Sequence, residues 1–275
     1  MPDLRLLAAA EARRWSAMHV DPSLKPAITA VARRLTAPVA KAAYKSIEAV
    51  THVPWFVIAV IHEREASQNW NANIAQGDRF NRRSTHVPKN RGPFPTFEAA
   101  AVDALTNCAP FAAKWHDWST GGTLLLLEEY NGLGYANKGR PSPYDWAASD
   151  QYVSGKFVRD GVYDPSAVDH QLGCAALLAC MAELDHDVHF DGETAPTPAQ
   201  PLIPAVPASI PAKPLILAVP APKAPQVATV EPQGSPLVHS NASEGTPLAV
   251  PTAPPEAHHT SWFSLLAEAL THKKA

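Results

Sequence analysis

The chain has 275 residues with 23 Lys/Arg against 26 Asp/Glu, a net charge of −3, so it lacks the basic stripe of a nucleic-acid binder and no nucleic-acid partner is expected. No stretch reaches the roughly 18 apolar residues of a membrane span, and stable membrane insertion is not expected. The apolar run near the start, Leu6–Ala10, stops at Glu11 and is too short for the core of a signal peptide.

Composition changes near residue 191. Sixteen of the 28 prolines lie between Pro196 and Pro255, no Asp follows Asp191, and six of the seven tryptophans precede it. Residues 1–190 are therefore expected to form one folded domain, long enough for a well-buried core. Residues 191–256 read as a disordered Pro/Ala-rich linker that favours extended conformations, and 257–275 as a short amphipathic C-terminal helix carried by Ser261–Leu270. The three cysteines, Cys108, Cys174 and Cys180, are an odd number without metal-ligand spacing and read as small buried hydrophobes.

In chain order, Leu4–Trp15 and Pro26–Ala49 have apolar residues at three- and four-residue spacing and predict helices. Thr51-His-Val-Pro54 predicts a helix start with Pro54 in the first turn, where its missing N–H costs nothing. The segment it opens, Trp55-Phe-Val-Ile-Ala-Val-Ile61, is apolar on every side and predicts a central buried helix. Residues Asn71–Pro95 lack helical period and predict a loop or small hairpin lobe, with Ser84–Val87 as a short strand. Thr96 can cap a helix over Phe97–Asn107, and Ser119 or Thr120 a helix ending at Asn131-Gly132. A Gly/Pro-rich loop, Leu133–Tyr144, follows, and a last helix is expected from Pro165 or Ser166 to Leu184. The fold class is thus mainly α, with one small irregular lobe.

The chemistry concentrates where the apolar helix turns polar, at His62-Glu63-Arg64-Glu65. A carboxyl at such an exit is partly desolvated, which raises its pKa and keeps it protonated, as a glycosidase proton donor requires. Polar residues also mark any helix leaving a core. Two residues apart on a helix, Glu63 and Glu65 point about 200° apart, and periodicity alone does not choose between them. A zinc-protease His-Glu-x-x-His is excluded because position 66 is Ala. Nothing near Cys108 and His116 would activate a thiolate, and Gly121-Gly122 lacks a phosphate-loop Lys. No metal or other cofactor is expected.

The run Ile61-His-Glu-Arg-Glu-Ala-Ser-Gln-Asn-Trp70, then Ala75-Gln-Gly-Asp78 and Ser84-Thr-His-Val-Pro88, resembles the phage endolysin and bacterial lysozyme-like families. Glu129-Tyr-Asn-Gly-Leu-Gly-Tyr135 and Ser142-Pro-Tyr144 resemble those families' cleft-lining loop, and the likeness spans about residues 50–185. The resemblance implies an α+β lysozyme-like domain that cuts the β-1,4 bond between N-acetylmuramic acid and N-acetylglucosamine in peptidoglycan. It makes Glu65 the general acid, Asp78 the second carboxylate and Thr85 a water-holding hydroxyl, with His62 and Glu63 in the cleft wall. Asn131, Tyr135, Tyr144 and Tyr152, with Trp146, would bind sugar, although Asn131-Gly132 also reads as a helix C-cap and each aromatic as packing. Twelve residues separate Glu65 from Asp78 and six separate Asp78 from Thr85, the first gap longer than in the short phage lysozymes. Were Asp78 to point away, Glu65 alone would suit a lytic transglycosylase that leaves 1,6-anhydro ends. A wall-binding or virion structural protein with the same fold is the non-catalytic alternative. The expected partner is the glycan strand. The chain, from a phage, prophage or host, is expected to be a monomer made in the bacterial cytoplasm and to act on the wall after release or export.

Overall fold

The computed structural model describes residues 3–159 and 161–192. The expected linker and terminal helix, from Glu193 onward, lie outside the described residues. Eight α-helices and one two-stranded antiparallel sheet make up the described fold, which is helix-rich as the spacing of apolar residues predicts.

Helix α1, Leu4–Ala17, starts at Asp3, whose side chain accepts from the Arg5 amide. The single long helix expected over Pro26–Ala49 is two: α2, Lys25–Leu35, and α3, Pro38–Thr51. The physical reason is Pro38. It disfavours helical geometry in the residue before it, and Ala37 is extended at φ −56°, ψ 139°. Each helix then buries its own stripe, Ile28, Ala32 and Leu35 on α2 and Ala40, Tyr44, Ile47 and Thr51 on α3.

Helix α4, Trp55–Ala66, is the central element, with every residue from Trp55 to His62 buried. Pro54 caps it rather than entering its first turn. Fully burying each large apolar side chain contributes about 1.5–3 kcal/mol, so this one helix anchors much of the core. It packs against α2, α3 and α8, Cys174–Leu184. It ends at Ser67, left-handed at φ 50°, whose amide donates to the Glu63 carbonyl while that of Gln68 donates to His62.

Helix α5, Phe97–Asn107, is capped by the Thr96 hydroxyl accepting from the Ala99 amide. Helix α6, Thr120–Asn131, is capped by Ser119 accepting from Gly122 and stops at Gly132, φ 98°. Both match the sequence reading. Helix α1 lies close against α6, since a Cβ on Gly121 would stand 2.3 Å from the Ala8 carbonyl oxygen. The three cysteines are free and buried.

Four local expectations are corrected. Ser84–Val87 forms no strand. Its backbone folds back instead, with the Ser84 amide donating to Arg91 and the Ser84 hydroxyl to Pro88, and an Arg91–Asp103 ion pair ties this lobe to α5. The expected loop Leu133–Tyr144 runs into a short helix α7, Pro143–Trp146, capped by Ser142. The hairpin lies elsewhere, as β1, Lys156–Arg159, and β2, Val162–Asp164, paired Phe157 with Tyr163. The last helix starts at Cys174, not at 165 or 166, because Asp164 accepts from the Ser166 and Ala167 amides and turns the chain out of helical geometry. Among the described residues no helix is long and apolar enough to cross a membrane.

Candidate active site

The two glutamates at the end of α4 diverge as their spacing requires. Glu63 turns to α2, where Arg34 donates to its carboxylate at 2.6 Å. Glu65 turns to α7, where the Tyr144 hydroxyl donates to its Oε1 at 3.0 Å. Glu63 is thus an ion-paired carboxylate, and Glu65 is half-buried with one neutral donor. Desolvation pushes the Glu65 carboxyl up to about 7, against the opposing effects of the Tyr144 hydrogen bond and the charge of Arg64.

Two further elements meet at this end of α4. The lobe after α4 packs on its end, because Gly77, at φ +74°, brings its backbone so near the Glu65 carbonyl that a Cβ would stand 2.9 Å away. Tyr130 of α6 is near enough to feel the charge of Glu65, and its hydroxyl donates to the Ile74 carbonyl at 3.1 Å in the same lobe. Beside Gly77, the buried Gln76 amide finds no hydrogen-bond partner among the described residues.

Asp78 follows Gly77 and organises the lobe. Its Oδ2 accepts from the amides of Thr85 at 2.7 Å and His86 at 2.9 Å, and its Oδ1 meets His86 Nδ1 at 2.7 Å. Burial works to raise its pKa, but the bonds from His86 and Thr85 outweigh it and hold the carboxylate below its usual range. Thr85 is exposed, with its hydroxyl 3.4 Å from Asp78. The structure therefore brings Asp78 and Thr85 together as a loop clasp and seats that loop on the end of α4.

The other candidates fall in packing positions. His62 is fully buried against Tyr44, Trp70 and Phe97, and burial pushes its pKa down to about 4, so it stands in the core rather than in a groove wall. The Tyr135 hydroxyl accepts from the Phe157 amide and braces the β1–β2 hairpin, and that of Tyr152 accepts from the Asp169 amide in the segment after it. Trp146 is buried and donates to Glu11 at 2.6 Å. Tyr144 is also buried and touches Glu65 instead of presenting a ring face for stacking. Asn131 is half-buried at the end of α6, where Gly132 makes the turn.

Sequence reasoning missed two groups. One is Arg64, buried between Asp169 and Tyr144; its place in a buried helix was the available signal. The other is a set of buried acids on three elements, Glu11 of α1, Glu128 of α6 and Asp145 of α7. Among the described residues no group of three or more His, Cys, Asp or Glu is set to hold a metal ion. No family model, curated protein or solved structure matches this chain.

The Tyr144 bond has a measurable consequence. It favours the charged form of Glu65, so Tyr144→Phe is expected to move the Glu65 titration further above 7. Infrared difference spectra of the protonated carboxyl against pH would record the rise. An unchanged midpoint would mean that the bond does not act on the acid.

Proposed function

We propose that this domain is a lysozyme-like glycoside hydrolase that cleaves the β-1,4 bond between N-acetylmuramic acid and N-acetylglucosamine in peptidoglycan. The observation that carries this reading is the half-buried Glu65 carboxyl at the end of the central helix, met by the Tyr144 hydroxyl and pushed up to about 7 by desolvation. At neutral pH a large share of it holds a proton, and an acid whose pKa lies near the working pH is the best donor. The motif order from Ile61 to Tyr144 supplies the substrate class by resemblance.

In the first step Glu65 gives its proton to the bridging oxygen, the bond from that oxygen to the anomeric carbon breaks, and positive charge grows on the sugar. Water then attacks the anomeric carbon, and its proton passes to a carboxylate. Tyr144, whose hydroxyl already points at Oε1, stabilises the carboxylate that Glu65 becomes. Asp78, if it faces the bound sugar across a water, is the second carboxylate. A separation of about 6.5–9.5 Å from Glu65 corresponds to inversion and about 5–5.5 Å to retention.

A second reading draws on the clasp around Asp78. With two amides and an imidazole on its oxygens, Asp78 has little capacity left for a water. Glu65 alone would then serve a lytic transglycosylase. It would protonate the leaving oxygen and, as a carboxylate, take the proton of the muramic acid hydroxyl that attacks the anomeric carbon. Digestion of purified peptidoglycan tests both. Hydrolysis gives fragments with reducing ends, transglycosylation gives anhydro ends, and no cut in the glycan contradicts the proposal.

Asp78→Asn adds a second measurement. Hydrogen bonds to a charged acceptor contribute about 1.5–3 kcal/mol, and the substitution is expected to lower stability in urea by about 2 kcal/mol. Stability unchanged within error would mean that the clasp does not hold the lobe.

A further inference from the structure

We propose that Arg64 is a positioning residue: clamped by Asp169, its guanidinium seats the Tyr144 ring against the Glu65 carboxyl and places a buried cation beside it. This rests on reading Glu65 as the acid. The contacts form one continuous chain from the hairpin to the carboxyl. Lys156 of β1 lies 3.0 Å from Asp169 Oδ1, and Asp169 Oδ2 lies 3.1 Å from an Arg64 terminal nitrogen. The other terminal nitrogen of Arg64 donates to the Leu172 carbonyl at 3.2 Å, and the Asp169 amide donates to the Tyr152 hydroxyl. The guanidinium carbon stands 4.7 Å from the centre of the Tyr144 ring, whose hydroxyl reaches Glu65. The side chains of Arg64 and Asp169 are 2% and 3% exposed.

Stability alone does not explain this arrangement. Taking both charges out of water costs several kcal/mol per ion, and apolar residues of similar volume often serve as well. What an apolar pair would not supply is a planar cation against an aromatic face and a fixed charge one residue from the acid. Around Glu65 the charged or titratable groups are Arg64 on its own helix, Tyr130 of α6, Tyr144 of α7 and Cys174 of α8. Arg64 also faces Asp145 and Cys174. Of these groups Arg64 is the cation, and Asp169 partly neutralises it.

Opposite effects of two substitutions test the idea in the full chain. Asp169→Asn leaves the guanidinium less compensated, and the Glu65 titration is expected to fall by about one pH unit. Arg64→Met with Asp169→Leu leaves no buried charge of the pair alone, so it keeps the test open should the single variant fail to fold. There the titration is expected to rise. Carbon-13 NMR of the carboxyl reads both without any substrate. Midpoints that stay fixed, or that move in the same direction, overturn the proposal. If they move as expected while the wild type releases no glycan, the glycan-cleaving reading fails and the positioning role of Arg64 stands.

Discussion

Glu65→Gln is expected to abolish clearing of purified peptidoglycan, with a rate loss on the order of 10³-fold, the size of a general-acid contribution. The amide keeps the shape of the side chain, and its oxygen can still accept from Tyr144, so the fold has no reason to change. What it lacks is a transferable proton. Glu63→Gln serves as the comparison, because Glu63 is paired with Arg34 on the other side of α4 and its loss removes one partly exposed ion pair. Such a pair is worth about 1 kcal/mol or less. Turbidity loss of a wall suspension reads both variants, and equal clearing by wild type and Glu65→Gln would end the catalytic assignment.

Glu128→Gln is expected to stabilise the protein at alkaline pH and change little in acid. Glu128 is buried near Glu11 and Asp145, and burial with the charge of Glu11 pushes its carboxyl up to about 8 from the ordinary 4.5. An acid whose folded pKa is raised contributes fully below its unfolded pKa, and that contribution is lost as pH rises through the folded value. The window is therefore about 4.5 to 8. A displacement of that size corresponds to roughly 5 kcal/mol, an upper figure because the three acids share their protons. A glutamine in this place carries no such penalty, and its oxygen can still accept from the Ala136 amide as Glu128 does. Urea unfolding at pH 5 and pH 9 is the measurement. A variant less stable than wild type at pH 9 would show that Glu128 is ionised there and paired.

The parts of the fold legible in the sequence are those set by neighbours in the chain. The apolar run from Trp55, the Thr96 and Ser119 caps and the Gly132 stop all act within a turn or two, and each appears where the residues place it. The break before Pro38 is equally local, but helical spacing of the Ala-rich residues on both sides masks it. The hairpin had a signal too, Asp160-Gly161 between two short runs containing valine and an aromatic residue, a strong pairing for a tight turn.

The candidate site was legible in part. Desolvation at the end of an apolar helix follows from the run itself. The choice of Glu65 over Glu63 by its surroundings does not, because it depends on Arg34 far upstream and Tyr144 far downstream. The roles of the aromatics were hidden for the same reason. Tyr135 lies within a Gly/Pro-rich segment that suits a sugar-binding loop, and Trp146 and Tyr152 come soon after it, yet tertiary packing turns each inward. The Arg64–Asp169 pair and the three buried acids join residues from separate elements, and no pattern within one segment reports them.

Catalysis by this domain requires a carboxyl at position 65 that still holds its proton near neutrality. The direct measurement is the titration of the carboxyl carbon resonance that disappears in Glu65→Gln. A midpoint near 7 is the expected result. A midpoint near 4.5, the ordinary value of a hydrated glutamate, would contradict it.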